Sequence, residues 1–459
     1  MSLGLLIFLV FLAAAGPRPA LIDAAKNVDR GAVRALLKQG ANVNATDADG
    51  TTALHWASYR DDVETADLLI SAGAKVNAAN DLGATPLWAA CQNGSEAMVR
   101  RLLTAGANPN VALLLGETPL MVAARSDYPV VVELLAAKGA NVNARAARGQ
   151  TALMWAVAQK HPQVVSVLLA HGADLNARSD TWGEVMAVPP HGYLDYNRSI
   201  PHGNDTALMF AARVGDLASA KLLVAAGANV NDEDAWGISA VVLAAHSGFT
   251  EFVEFLLDKG ANVNSDKAGF TALHEAIMRR DEKLVKILLD HGADANAPVR
   301  TWTPTRRSSR DFNFEPELIG ATPFWLAARF TEPEVMRLLV KHGADPLFVH
   351  RSDKVVEGRG VPWDHRKEAT TAVMAAAGMG GGGRPWTEIQ RGQREALVLE
   401  AVKVAVELGV DVNAANTDGR TALDSAKALK FDSVVAFLSQ KGAKPGTPKG
   451  KLPEPAPQR

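Results

Sequence analysis

The residues best suited to chemistry in this chain are histidines and carboxylates gathered in a few stretches: His191, Asp195, His350, Asp353, Asp364 and His365. Imidazoles and carboxylates brought together can relay protons or ligate a metal. If that set converged, it would make an active site, and an enzyme built by these stretches stands as one alternative. Other catalytic signatures are missing. His274-Glu275 lacks a second histidine four residues after the first, so the zinc motif HExxH is absent. Gly380 to Gly383 runs into Arg384-Pro385 and opens no phosphate-cradling GxxxxGK[ST] loop. No GxSxG elbow occurs. Cys91 is the single cysteine, which excludes an internal disulfide and a CxxC site; in Ala-Ala-Cys it reads as a small core residue. The expectation is a chain with no catalytic residues, no cofactor and no metal.

The elements that would position any site follow from a repeat. Gly-Ala, once Gly-Val, recurs at Gly40, Gly73, Gly106, Gly139, Gly172, Gly227, Gly260, Gly292, Gly343, Gly409 and Gly442, and the first four steps are each 33 residues. A leucine-type marker lies 19 residues before the glycine, as at Leu54, Leu87, Leu120, Leu153 and Leu208, with Thr or Ser two residues ahead of it. A period near 33 means a solenoid of stacked units. The Thr hydroxyl can cap a helix, and Pro86, Pro119 and Pro323 suit the first helical position. Pairs such as Ala89-Ala90 let a neighbouring helix approach closely, and Leu36-Leu37 or Leu102-Leu103 supply the apolar stripe of a second helix. The following Gly permits a left-handed cap.

The stretches Gly-Ala-Thr-Pro-Leu-Trp-Ala-Ala (83–90), Gly-Phe-Thr-Ala-Leu-His-Glu-Ala (269–276) and Gly-Ala-Asn-Val-Asn-Ala (40–45) resemble ankyrin repeats across about residues 21–444. The resemblance implies an all-α ankyrin-repeat solenoid of about eleven helix-turn-helix units with hairpin-like connections. It also implies protein–protein recognition, with His55 and His274 as structural hydrogen-bonding residues rather than ligands. The kind expected is a bacterial, exported ankyrin repeat protein.

The spacing is broken in four places. The glycine-to-marker distance, usually 14, becomes 36 from Gly172 to Leu208, 32 from Gly292 to Phe324 and 30 from Gly343 to Val373. Val373 to Gly409 is 36 instead of 19, an insertion inside repeat ten that carries the glycine run. The organisation expected is therefore repeats 1–5 over 21–177, an insertion at 178–203, repeats 6–8 over 204–297, an insertion at 298–319, repeat 9 over 320–345, an insertion at 346–368, and repeats 10 and 11 over 369–444. The insertions are expected as loops. They hold Trp182, Tyr193, Tyr196, Trp302, Phe312, Phe314, Trp363 and Trp386, together with Arg306, Arg307 and Arg310. Aromatic and Arg side chains are the usual anchors of interfaces, although they can equally fold an insert back as a satellite core.

In ankyrin-like repeats the residues five and six after the marker face the concave side. Here they include Tyr59-Arg60, Arg125, Arg213, His246, Arg279 and Arg329-Phe330, and five of the eight such pairs contain Arg. With Trp182, Trp302 and Trp363 from the insertions, these are the candidate protein-binding residues. The arginines predict a groove that prefers an acidic partner, unless acids such as Asp61, Asp127 and Asp216 pair with them. Trp56, Trp155 and Phe210, two residues after their markers, read mainly as packing between repeats.

A chain of 459 residues with net charge -2, 47% hydrophobic and 21% charged is a folded protein, not a disordered one. Near-neutral charge gives no general pull towards nucleic acid or anionic membranes. The apolar run 3–15 is too short to span a bilayer and fits a signal peptide cleaved near Ala13-Ala14-Ala15, without the usual preceding Lys or Arg. The Pro-rich stretch 445–459 reads as a disordered tail. The reading reached is a non-enzymatic, monomeric scaffold, exported to the periplasm or the cell exterior, that binds a protein through its concave face and insertions. A small-molecule or polyanion binder using the arginines is the other alternative, beside membrane-anchored or cytoplasmic placement.

Overall fold

The computed structural model describes residues 19–187, 194–303, 314–356, 363–381 and 391–447. The apolar run 3–15, His191, Tyr193, Arg306, Arg307, Arg310, Phe312, Gly382, Gly383, Trp386 and the tail after Thr447 lie outside the described residues. The rest forms two compact units.

The first unit comprises residues up to Asp180 together with Asp205–Ala228. It holds six helix pairs: α1 (Ala20–Lys26) with α2 (Arg30–Lys38), α3 (Ala53–Tyr59) with α4 (Val63–Ser71), α5 (Pro86–Asn93) with α6 (Glu96–Thr104), α7 (Pro119–Arg125) with α8 (Pro129–Ala137), α9 (Ala152–Ala158) with α10 (Pro162–Ala170), and α11 (Ala207–Val214) with α12 (Leu217–Ala225). Helices this short do not persist alone in water; each is held by its neighbours. First helices pack on first helices along the series α1, α3, α5, α7, α9, α11, and second helices on second helices. The interior between them is made by the marker leucines Leu54, Leu87, Leu120, Leu153 and Leu208, all but removed from solvent.

Local chemistry sets the boundaries. Thr85, Thr118 and Thr151 each accept a hydrogen bond from the backbone N–H three residues on, at 3.2, 3.3 and 3.4 Å. Asp29, Asp62 and Asp216 cap second helices in the same way. Each second helix closes on a left-handed glycine, as at Gly106 with φ +89°, whose neighbour Ala107 returns its N–H to the Leu102 carbonyl.

Between units of the repeat runs a ladder of asparagines. The Asn77 amide donates to the Gly106 carbonyl at 3.0 Å, and its oxygen accepts from the Asn108 N–H at 2.7 Å. Asn110 does the same for Gly139 and Asn141, at 2.9 and 2.7 Å. Asn44 and Asn143 make the equivalent rungs.

The second unit comprises Thr181–Asn204 and everything from Asn229. It opens with an antiparallel hairpin, β1 (Trp182–Ala187) against β2 (Asn197–His202), in a register that sets Trp182 opposite His202. Five helix pairs follow: α13 (Ala240–Ser247) with α14 (Thr250–Asp258), α15 (Ala272–Met278) with α16 (Glu282–Asp290), α17 (Pro323–Arg329) with α18 (Pro333–Lys341), α19 (Ala372–Ala376) with α20 (Arg391–Glu407), and α21 (Ala422–Leu429) with α22 (Asp432–Gln440). A second hairpin, β3 (His350–Val356) with β4 (Asp364–Thr370), stands between α18 and α19. Two insertions expected as loops are thus β-hairpins. The sequence hides them because most of their side chains are exposed and the inward-facing residues His350 and Ser352, which alternate with outward Arg351 and Asp353, are polar, so no hydrophobic alternation is written. The asparagine ladder resumes here at Asn231, Asn264 and Asn296, and Asn413 adds a rung to Gly442.

Candidate functional site

The last turns of the first helices of the first unit carry most of the candidate binding residues. Trp56 is half-buried, with Tyr59 edge-on at 6.0 Å and the Lys26 ammonium 4.8 Å from its ring. Tyr59 itself is 46% exposed. Arg60 is exposed and donates its Nε to the Lys26 carbonyl at 3.1 Å. Further along, the Arg125 guanidinium lies 5.1 Å from the centre of Trp155, and the Arg213 guanidinium 5.7 Å from the centre of Phe210. A cation over an aromatic face is attracted by the ring quadrupole, and here the pairing also shields the ring from water.

Each of these two arginines is steadied by an acid that the sequence does not single out. Arg125 sits 3.1 Å from Glu117, and Arg213 bonds Asp205 at 2.8 Å. Asp205 is in turn fixed by Ser179, which accepts its N–H at 3.0 Å. The acids suggested by proximity in sequence do other work. Asp61 accepts from the Ser95 hydroxyl, Asp127 lies 3.7 Å from His161, and Asp216 caps α12. Beside the Arg125–Trp155 pair lies an open pocket of about 250 Å³ lined by Arg125, Gln150, Met154, Trp155, Ala158, Gln159 and Phe210. The Trp155 indole N–H donates to Gln150 Oε1 at 3.0 Å, which fixes the ring plane. Trp155 and Phe210 are therefore half-buried walls of a cavity rather than fully packed core.

In the second unit the equivalent positions are progressively covered. His246 stands 3.0 Å from the buried Glu275, and the Arg279 guanidinium donates to the His246 carbonyl at 2.8 Å. Arg329 and Phe330, expected on a binding face, are instead 4% and 7% exposed. Arg329 donates its Nε to the Gly381 carbonyl at 2.9 Å, and burial pulls its guanidinium down to about 10 against the opposing pull of Glu315 and Glu368. The glycine segment closes over it: a Cβ on Gly380 would stand 2.6 Å from Trp325, so only glycine allows the approach. Trp302, also expected at an interface, is 2% exposed, and Phe314 is 1% exposed, packed 5.1 Å from Phe270. These insertion aromatics serve as satellite core. Trp182 remains 40% exposed and stacks on His202 at 5.5 Å, while Trp363 is half-buried.

Among the described residues the histidine–carboxylate set does not converge; His191 lies outside them. His350 is fully buried at the base of its hairpin, 4.3 Å from Trp325, with Nε2 at 2.8 Å from the Glu317 carbonyl. Burial holds its imidazole below the usual range. His365 lies exposed on the opposite strand, 3.1 Å from Asp353. Asp364 and Asp195 are elsewhere on the two hairpins. Among the described residues no three His, Cys, Asp or Glu gather as a metal would require, and no helix is long and apolar enough to cross a membrane. Cys91 is wholly buried, and burial pushes its thiol up.

Family models of ankyrin repeats match residues 21–113, 109–179 and 206–298, more than half of the chain, and a single-repeat model matches 319–351. The chain belongs to the ankyrin repeat family. It is 31% identical over 258 residues to an ankyrin repeat and KH domain-containing protein of Caenorhabditis briggsae, covering 54% of this chain and 9% of that one. It is 37% identical over 133 residues to a mouse ankyrin repeat, SAM and basic leucine zipper domain-containing protein, covering 26% and 28%. The chain thus spans a minor part of these curated relatives. The human ASB11 ankyrin repeat domain matches at 30% identity and TM-score 0.43, over 51% of this chain and 96% of that one.

Ankyrin repeats typically act as non-enzymatic modules that bind other proteins. The ankyrin opening also explains the burial of His55 and His274. His274 Nδ1 faces the Thr271 N–H at 3.0 Å, and its Nε2 lies 2.9 Å from the Ala297 carbonyl; His55 repeats this with Thr52 and Ala84. Sequence reasoning missed Glu117, Asp205, Gln150 and Met154. Glu117, Gln150 and Asp205 share one place in the pattern, each directly before the Thr that opens its repeat (Thr118, Thr151 and Thr206), and that shared place is the signal that could have found them.

Proposed function

We propose that this ankyrin protein is a monomeric protein-binding scaffold whose docking face is the inner surface of the first unit, and that its partner offers an acidic surface. The observation that carries this reading is the run of exposed guanidiniums set over half-buried rings, Arg125 on Trp155 and Arg213 on Phe210, with Tyr59 and Arg60 on the same helix series. Guanidiniums present several donors in a fixed fork and suit carboxylates, and exposed Tyr and Arg are the residue types that dominate interfaces. In the second unit, His246 and Arg279 are half-covered and contribute less, while Trp182 on the first hairpin and Trp363 remain as peripheral contacts. Export, to a bacterial periplasm or the cell exterior, is part of the same reading, resting on the apolar run 3–15.

The test is capture of partners from the native compartment by the purified protein and by the triple variant R60E/R125E/R213E. Loss of capture with an unchanged unfolding transition supports the reading. Equal capture by both proteins would move the docking face to the hairpins or the outer helices. A reporter fused to residues 1–20 and retained in the cytoplasm would remove the export part alone.

A small-molecule ligand is a weaker fit. The pocket of about 250 Å³ falls short of the roughly 300–1,000 Å³ typical of drug-sized ligands.

A further inference from the structure

The connections between repeats of the first unit each turn over on two residues. Backbone bonds close the turns, such as Gly83 N–H to the Asn80 carbonyl and Gly116 N–H to the Leu113 carbonyl, both at 2.8 Å. The central pairs, at one place of the 33-residue pattern, are Ala48-Asp49, Asp81-Leu82, Leu114-Leu115 and Ala147-Arg148. We infer that the ridge made by these tips receives an amphipathic helix of a partner protein, its apolar stripe laid on Leu82, Leu114 and Leu115 and a basic side chain set over Asp49 and Asp81. The ridge goes beyond the docking face proposed above and shares none of its residues.

Exposure marks the ridge. Leu82, Leu114 and Leu115 are 65%, 76% and 74% exposed, more than any other large apolar side chain among the described residues of the first unit; the marker leucines Leu87 and Leu120 are 1% exposed. The three are contiguous. The Leu114 N–H donates to the Leu82 carbonyl at 3.1 Å, so neighbouring tips touch, and Leu115 follows in the chain. A single exposed leucine needs no account, but a contiguous apolar patch marks a contact surface. The backbone then selects the form of the occupant. The N–H groups of Asp81, Leu82, Gly83, Leu114 and Gly116 are all committed within the ridge. An extended segment, which binds by adding main-chain hydrogen bonds to an edge, finds few donors here. A helix satisfies its own backbone and docks through its apolar stripe alone.

Charge selects its end and its class. Asp49 and Asp81 are exposed at one end of the ridge, set side by side by the bond from the Asp81 N–H to the Asp49 carbonyl at 2.9 Å. Beyond Leu115 the next tip begins with the small Ala147, and Arg145 beside it is taken by Asp180 at 2.8 Å. The leucines are thus flanked by exposed acid on one side only, which a Lys or Arg one turn from the apolar stripe complements. The same two acids oppose an anionic bilayer, so the apolar tips suit a protein helix and not a membrane surface.

The test uses the full chain with its leucine methyls labelled for NMR, titrated with an alanine-based helical peptide that carries leucines at i, i+3, i+4 and i+7 and two lysines one turn before the first. Saturable shifts at the methyls of Leu82, Leu114 and Leu115 are expected. A peptide of the same composition with its leucines spread around the helix, and one with glutamates for the lysines, should each bind at least tenfold more weakly. L82S/L114S/L115S should lose the response with its unfolding transition unchanged, because the three side chains are exposed. Asp81→Asn should narrow the gap between the lysine and glutamate peptides. No saturable shift at these methyls, equal binding of the ordered and spread leucines, equal binding of the lysine and glutamate peptides, or an unchanged titration by the triple variant would each overturn the inference. So would sedimentation of the chain with phosphatidylserine vesicles, or self-association, that the same triple variant abolishes. R60E/R125E/R213E should keep the full peptide response, so the ridge and the inner docking face stand or fall separately.

Discussion

Acid should weaken the second unit through its buried histidines, and His274 shows how. His274 is fully buried, with its Nδ1 3.0 Å from the N–H of Thr271 and its Nε2 2.9 Å from the carbonyl of Ala297. The neutral ring with hydrogen on Nε2 satisfies both contacts. A second proton on Nδ1 would face a donor, and the charge would be enclosed beside the edge of Phe314, 6.1 Å away. Burial outweighs the opposing pull of Asp294 and Asp266 and brings the imidazole from the ordinary 6.5 down to about 4. The folded chain thus takes up this proton only near pH 4, whereas the unfolded chain takes it up near 6.5. Across that window the unfolded state holds more protons, so stability is complete above about pH 6.5 and falls as pH falls. The slope for one proton is about 1.4 kcal/mol per pH unit, and the displacement of His274 corresponds to about 3 kcal/mol in total by pH 4. Hydrogen exchange of α15 and α16 amides between pH 7 and pH 4.5, corrected for intrinsic rates, reads this locally. His274→Gln keeps a donor and an acceptor but cannot titrate, so its slope over the window should be shallower by about one proton. Equal slopes in the two proteins, or a His274 imidazole titrating near 6.5 by NMR, would refute the reasoning.

Four further outcomes are expected. Asn110→Ala removes two hydrogen bonds between neighbouring repeats and should cost about 1–2 kcal/mol, measured by urea unfolding, because water can replace them only partly. Gly83→Ala should cost about 1–3 kcal/mol in the same assay, since φ is +85° and the new Cβ would meet the Ala112 carbonyl oxygen at 2.9 Å. Ser425→Ala deprives the Ala377 carbonyl of its 2.7 Å donor and should raise exchange in α21 and α22 by about 1–3 kcal/mol in opening free energy, leaving α1–α4 unchanged. Cys91 should react with a thiol reagent only at the unfolding rate, because it is wholly buried and its thiolate is disfavoured; fast reaction in native buffer would contradict its placement.

The repeat was legible because it is written redundantly: Thr caps, marker leucines and left-handed glycines recur at fixed spacing, and each has one local structural use. Less of the proposed docking face was legible. Position within the repeat puts Arg125 and Arg213 at the ends of first helices, and their partners Glu117 and Asp205 share a place as well, directly before the opening Thr and eight residues ahead of each arginine, but a contact between those two places is not written in the spacing itself. Arg329, Phe330 and Trp302 were misplaced for a related reason. Their burial depends on inserted chain, Gly378 to Gly381 and the stretch around Phe314, folding back over them. Nothing in a local pattern records that long-range contact. The hairpins escaped notice because mostly exposed strands need little hydrophobic alternation.

The asparagine rungs also bear on how long such a protein can be. Asn77 and Asn110 hold chemically identical positions 33 residues apart. Excising residues 78–110 would hand the Gly139 carbonyl and the Asn141 N–H to Asn77, with every cap on either side unchanged. Duplicating the same segment would add a rung in kind. The backbone rungs would thus tolerate a change of copy number by whole modules, while side-chain pairs that are not repeated, such as Arg101 with Asp67, would have to be replaced at the new junction.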